Sequence, residues 1–88
     1  MKLRVLGRED CHLCHDMMAD LQVLQRRLSS AHGFECEFVD MDEASGGEAG
    51  VWQTYALKIP VLLDEAGNEI CFGRLNEAAL LRCLSSAS

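Results

Sequence analysis

The chain has 88 residues, a formal net charge of -6, 49% hydrophobic and 25% charged residues, and five cysteines. That length and apolar share predict one folded domain over residues 1–88 rather than a disordered chain, and a monomer is the expectation. The acidic balance excludes a nucleic-acid surface built from clustered Lys and Arg and disfavours docking to an anionic membrane.

Lys2 to Leu6 reads as a short strand punctuated by Gly7. The run is too short for a signal-peptide core or a membrane span, so a cytoplasmic location is the expectation. Gly7-Arg8-Glu9-Asp10 reads as a loop, with Asp10 placed to cap a helix. Leu13, Met17, Leu21, Leu24 and Leu28 then recur at helical spacing, and Ser29, Ser30 and Gly33 predict its end, Gly33 in a left-handed conformation. Met17 and Met18 read as core filling.

Phe34 to Met41 sets Cys36 and Phe38 against Glu35 and Glu37, the alternation of an edge strand wetted on one side. Asp40 to Gly50 is a polar loop whose Asp40, Asp42, Glu43 and Glu48 form a solvated face. It leads to a short helix that buries Trp52, Tyr55 and Ala56. After a break at Lys58-Ile59-Pro60, Val61-Leu62-Leu63 is a third strand, joined through the turn Asp64 to Asn68 to a fourth, Glu69 to Phe72. Asn76 caps a last helix, Glu77 to Leu84, with Leu80, Leu81 and Leu84 inward.

This order, β-α-β-α-β-β-α, predicts an α/β domain with a mixed four-stranded sheet and helices on both sides. A parallel pair needs a crossover helix, which makes the first strand central and the second an edge. The loop leaving the carboxyl end of a central strand is where open α/β sheets gather reactive groups.

That loop carries Cys11-His12-Leu13-Cys14. On the first turn of a helix this spacing puts two sulfurs on one face, within joining distance. The helix N-terminus favours thiolate over thiol, and a thiolate beside a second thiol is the core of thiol–disulfide exchange. Nearby Glu9 and Asp10 work against activation, whereas a protonated His12 or His15 works for it. With His15 the motif also reads C-x-x-C-H, the pattern of c-type haem attachment, but the flanking strands suit a sheet protein rather than a helical cytochrome. Zinc or an iron–sulfur cluster is the stronger competitor, although no second tight ligand pair exists. Cys36, Cys71 and Cys83 are isolated and read as small buried hydrophobes. Two functions therefore stand: a thiol–disulfide oxidoreductase, and a non-catalytic module that binds a metal, a cluster or a peptide.

Several features together resemble the thioredoxin fold in its glutaredoxin-like form, over nearly the whole chain. They are the first strand, C-x-x-C at the head of the first helix, Ile59-Pro60-Val61 leading into the third strand, Gly67 in the hairpin turn, and the Gly73-Arg74 bend before the last helix. Cys11-His12-Leu13-Cys14 and the ending Gly73 to Leu80 are similar to a group of short bacterial and plant glutaredoxin-like proteins. The resemblance implies that Cys11 is an exposed nucleophile and Cys14 the resolving thiol. It also implies that Pro60, the only proline, is a cis-proline facing them. Such a bend presents the backbone of Ile59 to an extended peptide or to glutathione. Arg8 stands where glutaredoxins carry a basic residue that can hold a glutathione carboxylate, and Lys58 and Arg74 lie near the same rim. The sequence departs from the family in two places. His12 replaces the proline that usually follows the first cysteine, and the Gly-Gly and paired-Asp segment is reduced to Gly73. The resemblance thus implies a disulfide-bearing protein or glutathione as the partner, glutathione as co-substrate, and neither a bound cofactor nor a metal.

Overall fold

The computed structural model describes residues 2–28, 33–42, 53–55 and 57–86. β1 (Lys2–Gly7) buries Leu3, Val5, Leu6 and Gly7, so both of its faces are covered, as a central strand requires. It is followed by α1 (His12–Arg27), β2 (Glu35–Asp40), a single 3-10 turn (Gln53–Tyr55), β3 (Val61–Leu63), β4 (Glu69–Phe72) and α2 (Glu77–Ser86). The sheet order is β2-β1-β3-β4. β1 pairs with β2 in parallel, Leu3 opposite Cys36 and Gly7 opposite Asp40. β1 with β3, and β3 with β4, are antiparallel.

Alternation along the strands divides the core. Leu3, Val5, Leu62 and Cys71 share a cluster with Met17, Leu21 and Leu24 of α1 and Leu80 and Leu84 of α2. Leu6, Val61 and Leu63 pack with Met41, and Val39, Tyr55 and Ile59 lie against them. Among the described residues both α-helices cover one face, and the 3-10 turn with Tyr55 packs on the other, where the remaining helix was expected. Of the short helix expected around Trp52, the described part is the 3-10 turn at Gln53–Tyr55; Trp52 and Ala56 lie outside the described residues. Tyr55 packs inward as expected.

The leucine stripes are narrower than their spacing suggested. Leu13 is 44% and Leu81 40% exposed. Leu13 sits on the first helical turn at the end of the sheet. Leu81 is rotated by about 100° from Leu80 and about 60° from Leu84, which do the packing. α1 stops at Arg27, where Leu28 is extended (φ -84, ψ 145) and its N–H still reaches Leu24 O. The helix thus ends well before Gly33, and Ser29, Ser30, Glu43 and Glu48 lie outside the described residues. The hairpin turn closes on Asp64, whose Oδ1 accepts from the N–H groups of Ala66 (3.0 Å) and Asn68 (2.8 Å). No described helix is long and apolar enough to cross a membrane.

Candidate functional site

The site lies where β1 ends. Gly7 pairs with Asp40 on one side. On the other, Leu6 opposes Val61, which brings Pro60 alongside Gly7, and the Gly73 N–H donates to Pro60 O at 2.8 Å. Asp40, Gly7, Pro60 and Gly73 thus form a row across one end of the sheet. The Ile59–Pro60 peptide is cis, and Pro60 is buried. Ile59 turns its side chain onto the Leu6–Met41 cluster. Gly73 has φ +77, a conformation open to glycine, and turns the chain toward α2.

A tight turn follows Gly7. The Cys11 N–H donates to Arg8 O at 3.2 Å, which places Glu9 and Asp10 within the turn. Asp10 is therefore not the helix cap. Cys11 is, in an extended conformation (φ -95, ψ 110), and its sulfur accepts from the Cys14 N–H at 3.3 Å. Cys14, at the third helical position, returns the bond, its thiol being hydrogen-bonded to the Cys11 sulfur. The cap is therefore one-sided: the Cys11 N–H is taken by Arg8 O, and Cys14 reaches the Cys11 sulfur instead.

The two cysteines face different environments. Cys11 is partly exposed, whereas Cys14 is 0% exposed. Burial, then the hydrogen bond with Cys11, push the Cys14 thiol up to about 12, with the charges of Cys11 and Asp10 acting the same way. The Arg8 backbone hydrogen-bonds the same sulfur and opposes the shift. Cys14 also explains Gly7. A Cβ at Gly7 would lie 2.7 Å from Cys14 Sγ and 2.9 Å from Cys14 Cβ. The strand can end beneath the buried sulfur only without a side chain. Sequence reasoning took Gly7 as punctuation; a glycine closing a buried strand just ahead of C-x-x-C was the missed signal.

The other expected site residues divide. Arg74 is exposed and, with Leu13, Asp16, Met17, Asp20 and Leu75, lines a cleft of about 400 Å³ between α1 and the Gly73–Leu75 bend. Arg8 turns toward Asp42, Nε to Oδ1 at 3.3 Å, an ion pair without hydrogen-bond alignment. Lys58 reaches along β4, donating to Glu69 Oε1 at 2.8 Å with its ammonium 4.4 Å from the Phe72 ring centre. His12 is 91% exposed and points to Asp16 at 3.7 Å. Cys36, Cys71 and Cys83 lie elsewhere. Burial raises all three thiols, Cys36 to about 11. Among the described residues no group of three or more His, Cys, Asp or Glu is placed to hold a metal ion.

Two solved structures are similar to the whole chain. One is a structural-genomics target protein, XcR50, from X. campestris, with 28% identity, a TM-score of 0.59, and 98% of this chain and 99% of that one covered. The other is thioredoxin 1 from Thermosipho africanus TCF52B, with 20% identity, a TM-score of 0.58, and 99% and 98% covered, a likeness of fold. No curated protein matches the chain. The model of the glutaredoxin-like domain (DUF836) matches residues 2–85, and the mixed sheet, the cis-proline and the bend at Gly73 are laid out in a thioredoxin-like fold; the chain belongs to the glutaredoxin-like domain family.

Proposed function

We propose that the chain is a thiol–disulfide oxidoreductase in which Cys11 and Cys14 form the dithiol/disulfide couple. The observation that carries this reading is the asymmetry of the pair: a partly exposed cysteine at the head of α1, hydrogen-bonded to a fully buried one behind it. The Cys11 thiolate attacks one sulfur of a substrate disulfide, R–S–S–R′. A Cys11–S–S–R bond forms, the substrate S–S bond breaks, and R′–S⁻ leaves to take up a proton. Cys14 then attacks the Cys11 sulfur, the Cys11–Cys14 disulfide forms, and R–S⁻ leaves. Two electrons pass to the substrate, and the two thiols give up two protons in balance.

The buried thiol suits the second step. While Cys11 is free, its hydrogen bond and charge hold Cys14 protonated. Once Cys11 is tied up in the mixed disulfide, both of those influences fall away. Burial and Asp10 still oppose the thiolate, while the Arg8 backbone still favours it. Forming the mixed disulfide thus removes part of what keeps Cys14 protonated, while burial, the largest influence, remains.

The substrate is a disulfide-bearing protein or a glutathione mixed disulfide, met along the row from Ile59 to Gly73. Arg8 and Lys58 are held in ion pairs, so Arg74 is the exposed cation left to meet a carboxylate, in a cleft that Asp16 and Asp20 also line. The test uses bis(2-hydroxyethyl) disulfide and glutathione disulfide with the purified protein. Cys11→Ser abolishes reduction of both; Cys14→Ser still forms the mixed disulfide and accumulates it. A wild type that reduces neither, while holding iron or zinc stoichiometrically, overturns the proposal.

A further inference from the structure

The proposed exchange gives no role to His15, the last residue of the C-x-x-C-H run, although His15 holds the nucleophile's loop at two points. Its backbone N–H donates to Cys11 O at 3.3 Å. Its side chain turns back, and Nε2 meets Glu9 O. A carbonyl only accepts, so Nε2 carries the proton. The ring lies nearly parallel to Phe38 of β2, at 12° with centroids 6.4 Å apart. Phe38 in turn stands against Gly7, its Cε2 3.1 Å from where a Gly7 Cβ would be.

We infer that His15 is a positioning residue for Cys11. Glu9 and Asp10 are the central pair of the Arg8–Cys11 turn, and neither has positive φ. The peptide between such residues is the one a four-residue turn leaves freest to flip, at the cost of a left-handed residue after it. Anchoring Glu9 O on the His15 side chain fixes that peptide. Anchoring Cys11 O on the His15 backbone fixes the residue that follows. The Cys11 sulfur is thereby kept on the Cys14 N–H, at the head of α1, instead of swinging with an exposed turn. Phe38 of β2 flanks one face of the ring, so the clamp lies against the sheet.

The inference rests on Cys11 being the reactive thiol of the proposed function, and its test is chosen to stand apart from turnover. The side-chain donor and the ring can be separated. His15→Phe keeps the ring and removes the donor; His15→Gln removes the ring and offers an amide N–H at about the reach of Nε2. Alkylation by iodoacetamide at constant pH is followed by mass spectrometry on the peptide that contains Cys11. The rate falls about five- to tenfold in His15→Phe, the equivalent of one hydrogen bond, and stays within about twofold of wild type in His15→Gln. Equal rates in all three proteins, or an equal loss in both variants, overturn the inference, the second because it assigns the effect to ring packing. If the wild type reduces no disulfide, the proposed function falls while the alkylation pattern still decides the role of His15.

Discussion

α1 and α2 begin in the same way with different atoms. At α2, Asn76 Oδ1 accepts from the N–H of Ala79 at 3.1 Å. At α1, Cys11 Sγ accepts from the N–H of Cys14 at 3.3 Å. Both join a cap to the third helical residue. Asn is among the best caps, whereas thiol sulfur is a weak acceptor. α2 also carries Glu77 in its first turn, where the helix dipole favours an acid, and α1 carries no acid there. One helix start is built for stability. The other has a weaker cap and places the Cys11 sulfur, the nucleophile of the proposed exchange, at the positive end of the dipole.

The largest test of that contrast lies beneath α1. Gly7→Ala places a methyl 2.7 Å from the Cys14 sulfur, and the last residue of a central strand has little room to move. Overpacking of this kind costs about 2–3 kcal/mol, a fall in Tm of roughly 10 °C or more for a domain this size. Gly67→Ala is the control. It meets nothing within 4 Å, and only its φ of +91 opposes a side chain, at about 1–2 kcal/mol. Thermal melts of both variants give the order. In Gly7→Ala the displaced Cys14 also resolves a mixed disulfide more slowly, visible as its accumulation on non-reducing gels. Equal melting losses in the two variants would mean that Cys14 can step aside.

The alkaline limb of the stability curve should also belong to the head of α1. The Cys14 thiol stands near 9.0 when unfolded and about 12 when folded. Below pH 9 both states hold the proton and folding loses nothing. Between pH 9 and 12 the unfolded chain ionises first and binds fewer protons, so stability falls as pH rises. By pH 10 the loss is on the order of 1 kcal/mol from this group, with Cys36, at about 11, adding to it. Urea titrations of reduced protein at pH 7 and pH 10 measure the drop, and Cys14→Ala makes it shallower. An unchanged drop in that variant would remove Cys14 as its source.

Much of this architecture was written locally. Period-2 alternation marked β2, the apolar triplet at Val61 marked β3, and the crossover rule put β1 at the centre. Asn76 was legible as a cap because its side chain is an ordinary one for that place. Cys11 was not, since capping preferences favour Asp10 beside it; only the Arg8–Cys11 turn shows that Asp10 comes one residue too soon. Arg8 and Lys58 looked like free cations because Asp42 and Glu69 are distant in sequence and brought close only by the sheet. The socket at Gly7 was hidden for the same reason: an absent side chain has no pattern, and its occupant arrives from the next element.

Removing the good cap is the next step down in size. Asn76→Ala should cost about 1 kcal/mol, a fall in Tm of roughly 4–8 °C, because Ala79 loses its partner. Disulfide reduction should stay within about twofold of wild type, since a single lost cap contributes locally. Thermal melts and the turnover assay read the two effects separately. A fall in turnover as large as the fall in stability would show that the start of α2 serves the chemistry as well.

The smallest effect carries the contrast furthest. Cys11→Asn gives α1 the cap that α2 already has, without changing the turn that precedes it. An amide oxygen replaces a weak sulfur acceptor, so the variant should gain about 0.5 kcal/mol, or roughly 2–4 °C in Tm, while losing disulfide reduction altogether. The sulfur of Cys11 also accepts the Cys14 thiol's hydrogen bond, and Asn Oδ1 can take it over, so the buried thiol keeps a partner. Stability and activity then move in opposite directions at one atom. Should the variant melt lower than wild type, Cys11 would be a cap as good as Asn76, and the weak sulfur cap would be no concession to chemistry.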